Sequence, residues 1–238
     1  MIFRSVLFRL MLLVLTMATS LPAHADETVM IGGRPALLLK PQGAPIGSLI
    51  LLAGGDGRLD IGPGGSFAHL RGNQLVRTRH GYAARGFAVL VPDLGVDLSA
   101  AVAYMGKIKR PVTVVGTSRG TQRAAEGLAQ GAHPDALVLT SGFLSPESGQ
   151  GVHRSVIALL GSPNLLPRTL VIHHRQDSCR FTLPAGVAPF ITWSGGRARV
   201  VWLDGGTSSG NPCEARAHHG FNGLDAQVVA TVSAFARR

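Results

Sequence analysis

Ser118 stands between two glycines in Gly116-Thr117-Ser118-Arg119-Gly120, preceded by the β-branched run Pro111-Val-Thr-Val-Val and followed at once by the helix-compatible run Thr121 to Leu128. Strand, tight turn and helix in that order would present a serine hydroxyl at the tip of the turn, with Gly116 and Gly120 leaving room for the backbone. The amide of Arg119 would then fall at a helix N-terminus, where negative charge is stabilised. A serine hydroxyl becomes a useful nucleophile when a base takes its proton, and the base needs a carboxylate to orient it. The order to look for is serine, acid, histidine. Asp177 lies four residues beyond the apolar strand Leu170-Val-Ile-His173, in the loop His174-Arg-Gln-Asp-Ser-Cys179, and His219 lies in Ala217-His218-His219-Gly220-Phe221. Asp204, directly after the last expected strand, is a rival acid whose other role is to cap the loop entered through Gly205-Gly206. His218 is a rival base.

The G-x-S-x-G pattern needs its context. In a chain of 238 residues with 31 glycines, roughly 0.3 matches are expected by chance, and Gly206-Thr207-Ser208-Ser209-Gly210 is a second one. Asn-Pro-Cys-Glu follows it with no apolar helix, so Ser208 reads as a loop residue and Ser118 keeps the assignment.

The elements that must position these residues alternate. A hairpin is expected from Thr28–Ile31 and Ala36–Lys40 around Gly32-Gly33. Ser48–Ala53 is a wholly apolar run apart from its first residue, as in a strand buried on both faces, and opens into a long glycine-rich loop reaching Phe67. Further strands are expected at 87–91, 136–139, 169–173 and 199–203. Helices are expected near 73–84, 98–105, 152–160, 187–192 and 224–236, the last with Val228, Val229, Val232 and Phe235 inward. Strands alternating with helices throughout predict an α/β fold with a doubly wound, mostly parallel sheet. No internal repeat, linker or low-complexity tract divides it.

Residues 1–25 read as a secretory signal, with Arg4 and Arg9 ahead of the apolar run Leu10–Met17 and Ala23-His24-Ala25 as a small-x-small cleavage site. The stretch from Leu10 to Ala23 is too short to span a membrane. The expected mature domain is 26–238, periplasmic or secreted, without stable membrane insertion after cleavage. Losing Arg4 and Arg9 would take the formal charge from +10 to +8, a surplus that favours anionic surfaces or acidic substrates. The arginines are scattered, few aromatics lie among them and no nucleic-acid motif occurs, so nucleic acid is not an expected partner. In an oxidising compartment Cys179 and Cys213 are expected to pair, the alternative being two free thiols. That bond would join the loops of Asp177 and His219. Metal binding is not expected: His173 and His174, adjacent in a strand, point to opposite faces, and no ligand spacing with Asp or Glu accompanies the histidines. No cofactor is called for.

With Gly116–Gly120, the Asp177 loop and His219-Gly220-Phe221 before a closing helix, the chain resembles the α/β-hydrolase family over essentially its whole expected mature length. The resemblance implies that Ser118 attacks an ester, thioester or amide carbonyl of a small acyl substrate and passes through an acyl-enzyme, with His219 as base then acid and Asp177 orienting it. It favours His219 over His218 through the His-Gly-Phe context. It also implies an oxyanion hole from the backbone amides of Arg119 and of Gly55 or Asp56. The side chain of Arg119 could recognise a substrate carboxylate, form an ion pair or face solvent. Two departures stand out: the segment between Leu139 and Thr169 is too short for a large cap, and the usual His-Gly of the oxyanion loop reads Ala53-Gly54 or Gly54-Gly55. The implied activity is that of a carboxylesterase, with thioesterase, peptidase or a non-catalytic envelope binding protein as alternatives.

Overall fold

The computed structural model describes residues 26–149 and 153–238; the expected signal segment lies outside them. Among the described residues eight strands form one sheet in the order β1-β2-β4-β3-β5-β6-β7-β8. They are β1 Glu27–Ile31, β2 Arg34–Leu39, β3 Gly47–Leu52, β4 Phe87–Pro92, β5 Val112–Thr117, β6 Ala136–Thr140, β7 Arg168–His174 and β8 Ala198–Leu203. From β4 to β8 every pairing is parallel, while β1 and β2 join as an antiparallel edge. The β1–β2 turn is the pair Gly32-Gly33, both with positive φ (56° and 77°), the backbone that a two-residue hairpin matching strand twist requires.

The helices are α1 Gln74–Ala83, α2 Leu98–Ile108, α3 Arg119–Ala129, α4 Val156–Leu160, α5 Val187–Trp193 and α6 Asp225–Ala236. Strands β3, β4, β5 and β6 are buried at every position, because helices cover both faces of the sheet. Alternation along the strands divides the core in two. Leu49, Leu51, Val89 and Val115 pack with Leu75 and Tyr82 of α1 and with Val228, Val232 and Phe235 of α6. Ile50, Leu52, Leu90 and Val114 turn to the other face, against α2 (Val102, Met105), α3 (Ala124, Leu128), α4 and Phe190 of α5. Burying each such leucine, isoleucine or phenylalanine contributes roughly 1.5–3 kcal/mol, so both faces of the sheet are held against their helix layers.

The expected helix at 152–160 begins at Val156, where Ser155 caps it by accepting from the amide of Ala158; Val152 is outside the described residues. Between β6 and β7 the described residues form two single 3-10 turns and this five-residue helix, and no cap domain.

Candidate active site

The candidate residues converge at the carboxyl ends of the parallel strands, the end at which open α/β sheets place their ligands. Ser118 follows β5 directly and sits at the N-cap position of α3 with φ 52° and ψ −125°, a strained backbone for a residue with a side chain. Its amide donates to the Thr140 carbonyl (3.0 Å), and its carbonyl accepts from the amide and hydroxyl of Thr121 (2.9 and 2.6 Å). The flanking glycines are steric necessities. A Cβ on Gly116 would lie 2.6 Å from the Gly120 carbonyl oxygen, and one on Gly120 would collide with the Leu52 carbonyl.

Asp177 follows β7 in a turn and is fully buried at its side chain. Its Oδ1 accepts from the Cys179 amide (2.9 Å) and its Oδ2 accepts from the Thr182 hydroxyl (3.1 Å) and lies 3.0 Å from His219 Nδ1. The imidazole is thus oriented through Nδ1, leaving Nε2 for the cleft. His219 sits in a short 3-10 turn, His218–Gly220. Its carbonyl accepts from the Ser141 hydroxyl (2.8 Å), and Arg77 of α1 anchors the same turn by donating to the Gly220 carbonyl and pairing bidentately with Asp225. A disulfide joins Cys179 to Cys213, tying the acid's loop to the histidine's.

The rivals are placed elsewhere. Asp204 is exposed and pairs with Arg175 at 3.1 Å. His218 stacks on the His174 ring with centroids 4.3 Å apart and has Nδ1 3.3 Å from the Gln176 carbonyl. Ser208 is exposed in a loop. His173 and His174 diverge, His173 Nε2 donating to the Thr182 carbonyl and His174 Nε2 approaching that of Gly205 (2.9 Å each). Among the described residues no three His, Cys, Asp or Glu side chains are grouped to hold a metal ion, and no helix is long and apolar enough to cross a membrane.

Ser118 and His219 line one small cleft of about 60 Å³, together with Gly54, Gly55, Asn73, Gln74, Cys213 and Glu214. Gly54 is pressed against the serine: a Cβ there would lie 3.2 Å from Ser118 Cβ. Asp56 lies outside this cleft. With Gly55 and Arg119 it lines a neighbouring, wider one that also holds Arg123, Glu126 and Arg154. Among the described residues no carboxylate pairs with Arg119, but Asp56 and Glu126 share that cleft, so its charges nearly balance.

Three contributors had no signal in the sequence. Thr182 lies five residues past Asp177, and its hydroxyl reaches both Asp177 and His219 Nδ1 (2.9 Å). His173 lies beneath the pair, with Nε2 3.6 Å from Asp177 Oδ2. Burial pushes its pKa down to about 4, so at neutral pH it is uncharged and leaves the carboxylate to His219. Arg123, one and a half turns along α3, holds the glycine loop after β3.

Sheet order, elbow and loop placement together define the α/β-hydrolase fold. Solved structures of that architecture align along almost the whole chain. The esterase domain of a Rhodothermus marinus protein matches with a TM-score of 0.63 at 16% identity, over 90% of this chain and 97% of that one. An α/β serine hydrolase homologue from Coxiella burnetii matches with 0.58 at 13%, over 88% and 96%. A puromycin-hydrolysing peptidase from Mycobacterium tuberculosis matches with 0.61 at 15%, over 90% of this chain and 39% of that one. No protein-family model and no curated protein sequence matches the chain.

Proposed function

We propose that this protein is an exported serine hydrolase that cleaves an ester-type acyl bond through an acyl-enzyme, in the manner of a carboxylesterase. The observation that carries the reading is the 3.0 Å contact of His219 Nδ1 with the buried Asp177 carboxylate, made by a histidine that shares its cleft with Ser118. In this reading His219 Nε2 takes the Ser118 proton as Oγ attacks the carbonyl carbon, and Asp177 stabilises the imidazolium. The oxyanion is held by the amides of Arg119 and Gly55. The ester C–O bond then breaks, His219 returns the proton to the leaving alcohol, and a water deprotonated by His219 releases the acid from Ser118. Esterase and serine hydrolase neighbours of the same fold support the class of chemistry. Export rests on residues 1–25 and on a disulfide of the kind that persists in oxidising compartments.

A fluorophosphonate probe tests the reading on the folded, oxidised protein. Labelling is expected in wild type and in Ser208→Ala and absent in Ser118→Ala, followed by turnover of short-chain p-nitrophenyl esters. A folded wild type that neither labels nor turns over would mark a binding protein on a hydrolase scaffold.

A further inference from the structure

Residues 53–57 close around the guanidinium of Arg123. It donates to the carbonyls of Ala53, Gly55 (3.3 Å) and Gly54 (3.5 Å). Gly54 O also accepts from the Gly57 amide (3.2 Å), closing the turn. Gly57 has φ +80°, a backbone that favours glycine, and a Cβ there would lie 2.7 Å from Arg123 Cζ, so a side chain at this position would push the guanidinium aside. Burial lowers the pKa of Arg123 from the usual arginine value, while Asp56 and Glu126 act against that shift.

In a trans peptide the C=O and the following N–H point in opposite directions. Drawing the carbonyls of residues 53, 54 and 55 onto Arg123 therefore turns the amides of 54, 55 and 56 away from it. Gly54 and Gly55 are the loop residues that line the cleft of Ser118, and among the described residues no acceptor takes the Gly55 amide. Helix α3 begins one residue after Ser118 and carries Arg123 five residues after it. One rigid element thus carries the nucleophile, the Arg119 amide and the cation that orients the opposing amides.

We propose that Arg123 is a positioning residue that presets the backbone amides of the 53–57 loop toward Ser118, so that the oxyanion site is formed before substrate arrives. The inference rests on the hydrolase reading for its catalytic consequence but not for its structural one. A planar fork can satisfy several carbonyls at once, which a lysine ammonium on a flexible stem cannot reproduce in the same geometry.

The test uses the full mature chain with Arg123→Met and Arg123→Lys. Hydrogen exchange of the buried Gly57 amide, which donates to the Gly54 carbonyl, is expected to accelerate about ten-fold or more in both variants, with the core strands unchanged. On a neutral p-nitrophenyl ester kcat is expected to fall about ten- to hundred-fold with KM within about two-fold, and fluorophosphonate labelling to slow with kcat, the pattern of a lost transition-state interaction. Should Arg123→Met not fold, Arg123→Lys carries both measurements. Loop exchange at the wild-type rate, or a rise in KM with kcat unchanged, would overturn the proposal. A wild type with no turnover and no labelling would sink the hydrolase reading alone, and the exchange measurement would still decide whether Arg123 holds the loop.

Discussion

Acid should loosen this protein through one buried residue, His173. Its ring is completely inaccessible, Nε2 donates to the Thr182 carbonyl, and Nδ1 has no partner among the described residues. Desolvation is the largest cause of its low pKa. Asp177 and the Thr182 carbonyl pull the other way, while His219 and His174 add to the lowering; the Trp202 ring packs nearly perpendicular to the imidazole, with centroids 5.8 Å apart. The unfolded chain takes up a proton on this imidazole below about pH 6.5, and the folded chain does so only near pH 4. Across that window the unfolded state binds more protons, so stability falls as pH falls from 6.5 to 4 and levels off below. The difference is worth about 3 kcal/mol, or roughly 6–12 °C in Tm for a domain of this size. Other carboxylates also protonate there, so the informative quantity is wild type against His173→Gln, whose amide can still donate to Thr182 but does not titrate. Urea midpoints of the oxidised proteins at half-unit steps from pH 7.5 to 4 should converge toward acid by that amount. Parallel curves would refute the argument, because His173 would then be as easily protonated folded as unfolded.

Two further perturbations probe the same region. Thr182→Val removes the hydroxyl that touches both Asp177 Oδ2 and His219 Nδ1, and should lower kcat about ten-fold, the size of one hydrogen bond to a charged group. Thr182→Ser should retain wild-type turnover, and equal loss in both would assign the effect to packing. Removing the Cys179–Cys213 bond by a double alanine substitution opens a loop of 34 positions and should cost about 3–4 kcal/mol in urea unfolding. An unchanged midpoint would mean that the rest of the fold already holds these loops.

Much of the scaffold is legible along the chain because it is written in local patterns. The run Ser48–Ala53 announces a strand covered on both faces, and the structure has β3 there at Gly47–Leu52. Gly116 and Gly120 mark an elbow because every other residue adds a Cβ where backbone already lies. Boundaries moved by a few residues: α2 runs on to Ile108, three residues beyond the expected end, and α4 starts only where Ser155 caps it.

The choice among chemically equivalent residues was not local. Asp177 and Asp204 each follow a strand, and His218 and His219 are neighbours, so the order of elements favours Asp177 and the His-Gly-Phe context favours His219 without placing either side chain. The chain turn at 218–220 decides which imidazole meets Asp177: one ring turns inward to the buried carboxylate while the next residue back stacks outward on His174. Thr182, His173 and Arg123 carry no motif at all. Their roles arise from contacts across 5, 4 and 70 positions with Asp177 and the Ala53 carbonyl, and only packing sets such distances. The sequence by itself determined the alternation of strands and helices, the elbow at Ser118 and the residues able to serve it, since these depend on backbone sterics and apolar periodicity within a few residues. The tertiary structure alone decided which acid faces which base and what holds the loop opposite the serine, because a side chain's partner is settled by burial and by which loop ends the sheet brings together.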